Sequence, residues 1–221
     1  FPLEQLFVFA TASLRNISNT DEALQTITAD TGLSIDVLTG YQEATFDFIG
    51  AARSMHLNKG VLLDIGGGST EILVYERGEI QNAVSLPFGS LSMFSNHVSS
   101  LFPNKKEKKE IEEEVKTELK KVKFLNKKTF DTVIGIGGSI RAAKNMNNDM
   151  FEMPRENNRI FADNVPKLLK EFQGNENEVL RKVLKVSPDR VHTLIPGMIV
   201  MDTVCKYVKC KDILMSPYGV R

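Results

Sequence analysis

Residues 62–75, LLDIGGGSTEILVY, constrain the fold more than any other stretch, because two apolar runs enclose three consecutive glycines. Glycine supplies the positive φ of a tight turn at little cost, so this pattern predicts two strands joined by a turn at residues 66–69. One or two glycines would be enough for such a turn. Three leave a bare backbone whose N–H groups can approach a phosphate closely. Asp64 should end the first strand, and Glu71 should begin the second.

Segments with strand and helix patterns alternate along the rest of the chain. The predicted strands are residues 6–13, 33–40, 59–67, a hairpin over 69–89 that turns at Arg77 and Gly78, the first part of 131–145, and 212–221 as a closing strand and turn. The predicted helices are residues 19–32, 41–55, 104–128, the second part of 131–145, 164–173, 177–184 and 192–208. This alternation indicates an α/β fold with helices on both faces of a sheet, and the hairpin makes the sheet mixed.

Two of the predicted helices carry patterns that indicate how they pack. Residues 41–55 have apolar positions at Phe46, Ile49 and Ala52. Residues 104–128 are strongly charged, and their sparse apolar positions suit an amphipathic helix on the surface with a solvated charged face. Those apolar positions are Ile111, Val115, Leu119 and Val122.

A second glycine turn, GIGGS at residues 135–139, follows another apolar strand. In α/β sheets, ligands bind beyond the carboxyl ends of strands, where such turns lie. Neither turn is a P-loop, because the lysine is missing, and the first turn leads into a strand where a dinucleotide-binding turn would lead into a helix. The two turns together indicate a ligand that contains phosphate.

Asp64 and Glu71 flank the first turn, and a strand–turn–strand hairpin brings its two ends together. Phosphoryl transfer uses carboxylates to hold Mg²⁺, directly or through water, and backbone N–H groups to hold phosphoryl oxygens. On spacing alone an alternative stays open, in which Asp64 caps the turn and Glu71 is a solvated strand residue.

Composition argues against several classes of protein. Lysine plus arginine and aspartate plus glutamate are balanced at 28 each, which argues against a nucleic-acid binder. The two cysteines, Cys205 and Cys210, lack a metal-ligand pattern, so we expect a cytoplasmic location. We expect no membrane partner, because there is no signal peptide and no apolar run long enough to span a bilayer. The first residue is Phe1 and not methionine, so we expect a piece of a longer protein.

The stretch DIGGGSTEI, residues 64–72, resembles the phosphate-binding signature of the exopolyphosphatase/guanosine pentaphosphate phosphatase (Ppx/GppA) family, within the actin-like ATPase superfamily. Further segments are similar to family segments in the same order along the chain. They are ATASLRNISN, VLTGYQEATF, SLPFGSLSMF, VIGIGGSIRAAKN, SPDRVHTLIPGMIVMD and MSPYGVR. The resemblance therefore extends over nearly the whole sequence.

The resemblance implies the actin-like ATPase (ribonuclease H-like) fold, with mixed sheets flanked by helices. Residues 1–57 would be the remainder of the first actin-like domain, and residues 58–221 the second domain with helical insertions. It implies an enzyme that releases phosphate from inorganic polyphosphate or guanosine pentaphosphate with Mg²⁺ or Mn²⁺, and a homodimer as the oligomer. The lysine-rich segment 105–128 also carries many glutamates, so it does not favour either substrate.

The resemblance also implies roles for individual residues. Glu43 stands at the position of the catalytic glutamate, which orients or deprotonates the attacking water, and Asp64 and Glu71 stand at the acidic metal positions. The implied phosphate-binding residues are Gly66, Gly67, Gly68, Ser69, Thr70 and Arg15. The implied nucleotide-binding residues are Gly137, Gly138, Ser139 and Arg190, with a surface salt bridge as the alternative role of Arg190.

The chain departs from the family pattern at several positions. The family often has two glutamates before the alanine of the VLTGYQEATF segment and an arginine after it, whereas this chain has Gln42, Glu43 and Thr45 there. Ser139 replaces a threonine, and His192, which we do not expect to be a ligand, replaces an aspartate. No segment matches the D-x-G-[ST]-N-S hairpin with which the family begins, so this chain would hold only part of the site.

Two other functions stay open. An actin-like kinase would share the glycine turns, but it would not explain the VLTGYQEATF segment or the order of the motifs. A noncatalytic sensor would bind a guanosine alarmone or polyphosphate without hydrolysis, but it would have no need of Glu43 as a base.

Overall fold

The computed structural model describes residues 6–220, so residues 1–5 and Arg221, the last residue of the predicted closing segment, lie outside the described residues. The described strands are β1 (Phe9–Ala10), β2 (Asp36–Val37), β3 (Lys59–Ile65), β4 (Thr70–Glu76), β5 (Glu79–Leu86), β6 (Thr132–Ile136), β7 (Arg159–Phe161) and β8 (Asp212–Met215). The described α-helices are α1 (Ala12–Arg15), α2 (Thr20–Thr31), α3 (Gly40–Ala52), α4 (Ser90–His97), α5 (Lys105–Lys121), α6 (Gly138–Met150), α7 (Val165–Glu171), α8 (Glu176–Val186) and α9 (Leu194–Val208). Short 3₁₀ helices lie at Lys123–Leu125, Ala162–Asn164 and Pro188–Arg190.

Six strands form a mixed sheet in the order β5–β4–β3–β6–β8–β7. The pairs β3–β6 and β6–β8 are parallel, and the other neighbouring pairs are antiparallel. Between β3 and β4 the turn occupies residues 66–69, as predicted. The hairpin from β4 to β5 turns at Arg77 and Gly78, which both have positive φ. The mixed α/β sheet expected from the sequence is confirmed.

Side chains of the central strands alternate between the two faces of the sheet, as the two-residue period of a strand requires. On β3, Leu63 belongs to the larger core under helices α4–α9, whereas Leu62 packs on the side of α3. Leu73 on β4 also packs on the α3 side. Asp64 lies two residues after Leu62, and Glu71 two residues before Leu73, so both carboxylates lie on the face covered by α3.

Helix α5, over the larger core, has the predicted amphipathic pattern. Ile111, Val115 and Leu119 of the charged helix α5 are fully buried, and α5 packs on the largely buried helix α9. The charged side chains between these positions face solvent, as expected. No helix within residues 6–220 is long and apolar enough to cross a membrane.

The strand predicted at residues 6–13 is wrong in extent and in burial. β1 includes only Phe9 and Ala10, pairs in parallel with the equally short β2, and is followed by α1. Phe7 is 85% exposed and Phe9 41% exposed. Apolar residues favour a buried strand, but within residues 6–220 Phe7 is left largely uncovered and Phe9 is only partly covered.

Helix α3 buries a different face from the predicted one. Phe46 and Ile49, two of the expected core positions, are 44% and 48% exposed. The buried positions are Glu43, Ala44, Asp47, Phe48 and Ala51. The apolar spacing misled the prediction because the buried face of this helix contains two acidic side chains.

The sequence patterns also missed α1, α4 and β7. Helix α4, SLSMFSNH, has small polar residues and weak apolar periodicity. Strand β7 has only three residues at the edge of the sheet. Short elements of this kind are held by tertiary contacts and leave little local signal.

Candidate active site

Three buried carboxylates meet beside the first glycine turn. Asp64 on β3 and Glu71 on β4 are direct partners in the antiparallel register, and Glu43 comes from the first turn of α3. One carboxylate oxygen of each residue lies within 4.8 Å of an oxygen of the other two. All three side chains are buried. The structure therefore brings together the three acids that the sequence singled out.

A capping box places Glu43 at the start of α3. The backbone N–H of Gln42 donates to Oγ1 of Thr39 at 3.2 Å, and the N–H of Thr39 donates to Oε1 of Gln42 at 2.9 Å. Gln42, which stands where the family often has glutamate, thus takes part in the capping of the helix. Glu43 follows it in the first turn, where the helix dipole favours negative charge.

Arg15 contacts two of the three carboxylates. Its Nη1 donates to Oε2 of Glu43 at 3.0 Å, and its Nη2 lies 3.5 Å from Oε1 of Glu71. Nη1 also donates to the carbonyl of Leu38 at 2.8 Å. The predicted phosphate-binding arginine is therefore engaged with the acids, although its side chain remains 19% exposed.

The electrostatics around Glu71 favour a bound cation. Burial, followed by the carboxylate of Glu43, raises the pKa of Glu71 to about 7. Its Oε1 accepts a hydrogen bond from Oγ of Ser85 at 2.7 Å, whereas its buried Oε2 accepts none within residues 6–220. Like charges directly opposite each other destabilise a strand pair. Mg²⁺ and Mn²⁺ prefer oxygen ligands. The carboxylate oxygens of Glu43, Asp64 and Glu71 thus fit such an ion.

A fourth buried acid, Asp47, was missed by the sequence analysis. It lies one helical turn after Glu43, and it is fully buried. Burial is the main reason that the pKa of Asp47 is raised to about 6, and the carboxylates of Glu43 and Glu71 add to the shift. Its Oδ1 accepts a hydrogen bond from the N–H of Val220 at 2.8 Å. Two acids at i and i+4, on one face of a helix, are the signal that could have revealed it.

The first glycine turn is fixed through its carbonyl groups. Those of Gly66 and Gly67 accept hydrogen bonds of 2.9–3.0 Å from the first N–H groups of α4. Gly89 permits this contact, because a Cβ there would lie 2.5 Å from the carbonyl oxygen of Gly66. The N–H groups of Gly67 and Gly68 donate no hydrogen bond within the described part of the chain. They can therefore bind phosphoryl oxygens.

The two hydroxyl side chains of this turn face inward. Oγ1 of Thr70 donates to the carbonyl of Phe88 at 2.7 Å, and Thr70 is fully buried. Ser69 is also buried, with its Oγ 3.4 Å from Nη2 of Arg15. The Thr70 hydroxyl is therefore engaged away from the cavity, whereas Ser69 lines the larger cavity.

The second glycine turn lies directly beside Asp64. Gly137 has a φ of +91°, and a Cβ there would lie 2.5 Å from Oδ1 of Asp64, so glycine is required for two reasons. The guanidinium of Arg190 packs on Gly138, where any Cβ would overlap it. Ser139, by contrast, is buried with its hydroxyl against α9. Arg190 therefore faces the predicted nucleotide-binding turn, whereas the Ser139 side chain points into the protein.

Two adjoining cavities lie on either side of the first glycine turn. The larger, of about 930 Å³, is lined by Arg15 and Glu43 among others. The smaller, of about 550 Å³, is lined by Asp64, Arg190 and Arg141, a residue of the second glycine segment to which sequence reasoning gave no role. Both cavities include the first two glycines of the turn. A ligand with several phosphate groups could contact both cavities.

Known proteins are similar to this chain in sequence and in fold. Exopolyphosphatase 1 of Mycobacterium bovis, like that of Mycobacterium tuberculosis, is 24% identical over 224 residues, and the match covers 98% of this chain. This chain spans 65% of the length of those relatives. The Ppx/GppA family member of Aquifex aeolicus superposes with a TM-score of 0.78 at 22% identity, covering 97% of this chain and 71% of that one. An exopolyphosphatase from Cytophaga hutchinsonii superposes with a TM-score of 0.82 at 19% identity. The match again covers 97% of this chain and 71% of that one.

These superpositions show that this chain shares its fold with both solved proteins. The profile of the Ppx/GppA phosphatase family matches residues 1–221, the whole of the sequence. This chain therefore belongs to the Ppx/GppA phosphatase family.

Proposed function

We propose that the full-length protein hydrolyses a terminal phosphoanhydride bond and releases phosphate from inorganic polyphosphate or guanosine pentaphosphate. The observation that carries this proposal is the meeting of Glu43, Asp64 and Glu71 beside a glycine turn with available N–H groups. Family membership and the similarity to mycobacterial exopolyphosphatases support the same class of reaction.

Glu43 is the proposed general base. It lines the larger cavity together with the glycine turn, so it can orient a water towards a phosphoryl group held there and accept the proton of that water. The hydrogen bond from Arg15 fixes the Glu43 carboxylate and occupies one of its two oxygens. General-base assistance is worth roughly 100- to 10,000-fold in rate. Positioning and electrostatic stabilisation supply most of the remaining acceleration of phosphoryl transfer.

Asp64 and Glu71, with Glu43, would hold the Mg²⁺ or Mn²⁺ ion. When bound, the ion would supply positive charge to the phosphoryl oxygens. The N–H groups of the first glycine turn and the guanidinium groups of Arg15 and Arg190 would bind the same kind of oxygen, for which a planar, permanently charged fork is well suited.

Phosphate release by the full-length protein, measured side by side on long-chain polyphosphate and on guanosine pentaphosphate, tests this proposal. We expect release from at least one of them, dependent on Mg²⁺ or Mn²⁺. Tight binding of either compound without release would support the noncatalytic sensor. Phosphate transfer from ATP to a small acceptor, without hydrolysis of either compound, would support the kinase.

The substitution Glu43→Gln tests the role of the base. Glutamine is nearly isosteric and can hydrogen-bond a water, but it cannot accept the proton of that water. We expect kcat to fall by roughly 100- to 10,000-fold while substrate binding, measured by calorimetry, is retained. Near wild-type turnover would remove Glu43 from the chemistry.

The substitution Asp64→Asn provides the comparison for Glu43→Gln. It weakens the cation site and leaves the base in place, so raising the Mg²⁺ concentration should recover part of its lost activity. The same increase should recover a smaller share of the activity of Glu43→Gln, because that variant lacks the base as well as one of the three charged ligands. If both variants responded equally to Mg²⁺, the separate roles of base and cation ligand would be wrong.

A further inference from the structure

Asp47 joins helix α3 to the segment that follows β8. Its Oδ1 accepts a hydrogen bond of 2.8 Å from the backbone N–H of Val220, a residue 173 positions away in the sequence. The aspartate is completely buried. A fully buried carboxylate oxygen that lost this donor would have a substantial desolvation cost. The contact is therefore a strong link between the two segments.

Close packing around this hydrogen bond leaves α3 little freedom to move. A Cβ on Gly219 would lie 2.8 Å from Oδ1 of Asp47 and 2.7 Å from the side chain of Ile136 at the end of β6. A Cβ on Gly50, one turn further along α3, would lie 3.2 Å from the backbone nitrogen of Gly219. Two glycines thus let the closing segment pack directly against the helix.

The same aspartate reaches the proposed active site. Asp47 interacts with the carboxyl group of Asp64, and it lies one turn after Glu43 on the buried face of α3. The closing segment that it holds, residues 216–219, lines the smaller cavity together with the second glycine turn. Asp47 thus connects helix α3, which carries Glu43, to the segment that lines this cavity.

We propose that Asp47 is a positioning residue that, by holding the N–H of Val220 and facing Asp64, fixes α3 so that Glu43 stays aligned with the first glycine turn. This inference rests on the proposed hydrolase function for its kinetic part only. A displacement of about 1 Å at a catalytic group can cost roughly 100-fold in rate, so a tether of this kind is expected to act on kcat and not on substrate binding.

Two substitutions in the full-length protein separate positioning from charge. In Asp47→Asn, the amide oxygen can still accept from Val220, and the amide N–H can donate to Asp64. In Asp47→Ala, both contacts are lost. We expect Asp47→Ala to lower kcat by roughly 10- to 100-fold with KM within about twofold of wild type, and Asp47→Asn to restore most of the loss.

Amide hydrogen exchange gives a readout that does not require activity. In Asp47→Ala, exchange should be faster in residues 216–220 and in the first turn of α3, whereas Asp47→Asn should resemble wild type. Asp202→Asn is the matched control, because Asp202 is a largely buried aspartate on α9 that pairs with Lys206, away from the site. It should leave kcat and the exchange of residues 216–220 unchanged even if it lowers the unfolding temperature.

Several outcomes would overturn the inference. A kcat of Asp47→Ala close to that of wild type would do so, and so would an equal loss in Asp47→Asn, since the charge and not the tether would then matter. If the wild-type protein hydrolysed neither substrate, the proposed function would fail separately. Unchanged exchange of residues 216–220 in Asp47→Ala would then still disprove the tether, and faster exchange there would support it.

Discussion

Asp64 and Glu71 are direct neighbours across the β3–β4 ladder, an arrangement that a sheet selected for stability alone would avoid. Opposed like charges weaken a strand pair, and burial of an ionised carboxylate adds a desolvation cost. Both effects disfavour the ionised form, and burial raises the pKa of Glu71 to about 7. In metal-free protein, Glu71 should therefore hold a proton in weakly acidic solution.

This pKa predicts how stability depends on pH. Between its ordinary value of 4.5 and about 7, Glu71 binds a proton more strongly in the folded protein than in the unfolded chain. The free energy of unfolding should therefore fall as the pH rises through this window, by on the order of 1–3 kcal/mol in total. Asp47, with a pKa of about 6, contributes a similar fall at lower pH. Urea unfolding in EDTA at a series of pH values measures the slope.

The substitution Glu71→Gln should flatten this slope most strongly in the upper part of the window, where Asp47 has already ionised. Glu76→Gln, on the same strand, is the control. Glu76 is solvent-exposed and pairs with Lys59 at 3.0 Å, a contact that lowers the pKa of Glu76. That variant should keep the wild-type fall in stability. An undiminished fall in Glu71→Gln would show that Glu71 is not the group responsible.

At the level of single residues, the sequence best predicted which residues the backbone of a hairpin brings together. The hairpin pattern was enough to bring Asp64 to Glu71, because register follows from the turn. Side-chain contacts across long sequence separations could not be predicted. The pairing of Arg15 with Glu43 and the bond from Val220 to Asp47 depend on how distant segments pack.

At the level of elements, helix α5 shows how a few buried apolar residues anchor a charged helix to the core. Ile111 is fully buried in the larger core, and the helix otherwise carries mostly charged side chains. Ile111→Ala should lower the free energy of unfolding by about 2–5 kcal/mol, because it removes buried apolar contacts and leaves a cavity. Urea unfolding measures the change.

The neighbouring substitution Lys109→Ala is the control for this helix. The Lys109 side chain is 74% exposed and lies 3.9 Å from Glu113, so its loss should change stability by less than about 0.5 kcal/mol. Equal effects of the two substitutions would contradict the assignment of α5 as a surface helix with a single buried stripe.

The periodicity of α5 was sufficient to predict its buried face, whereas that of α3 was not. In α5 the apolar residues all face the core. In α3 the buried face includes Glu43 and Asp47, and two large apolar residues, Phe46 and Ile49, face outward. Functional acids inside a helix face break the link between hydrophobicity and burial, which is where pattern-based prediction is expected to fail.

At the level of the whole molecule, the balanced charge conceals a strongly negative site. The 28 basic and 28 acidic residues cancel, yet four buried acids lie close together, and only two of them, Glu43 and Glu71, are shown to pair with Arg15. These acids come from α3, β3 and β4, segments that composition cannot place together. Whole-chain charge therefore says nothing about cation binding here, whereas the local excess of carboxylates favours it.

A cation bound by Glu43, Asp64 and Glu71 would connect α3 to the central sheet, so it should stabilise the whole molecule. Mg²⁺ at about 100 times its dissociation constant adds about 2.7 kcal/mol to the free energy of unfolding, or roughly 5–10 °C in Tm for a chain of this size. Thermal unfolding in a Mg²⁺ titration, after EDTA treatment, should show a saturable rise in Tm. Asp64→Asn and Glu71→Gln should reduce that rise, because each replaces a charged carboxylate ligand by a neutral amide. Sodium chloride at matched ionic strength is the control. An equal rise in Tm in sodium chloride would mean that salt screens the repulsion between the carboxylates, and it would argue against a specific cation site.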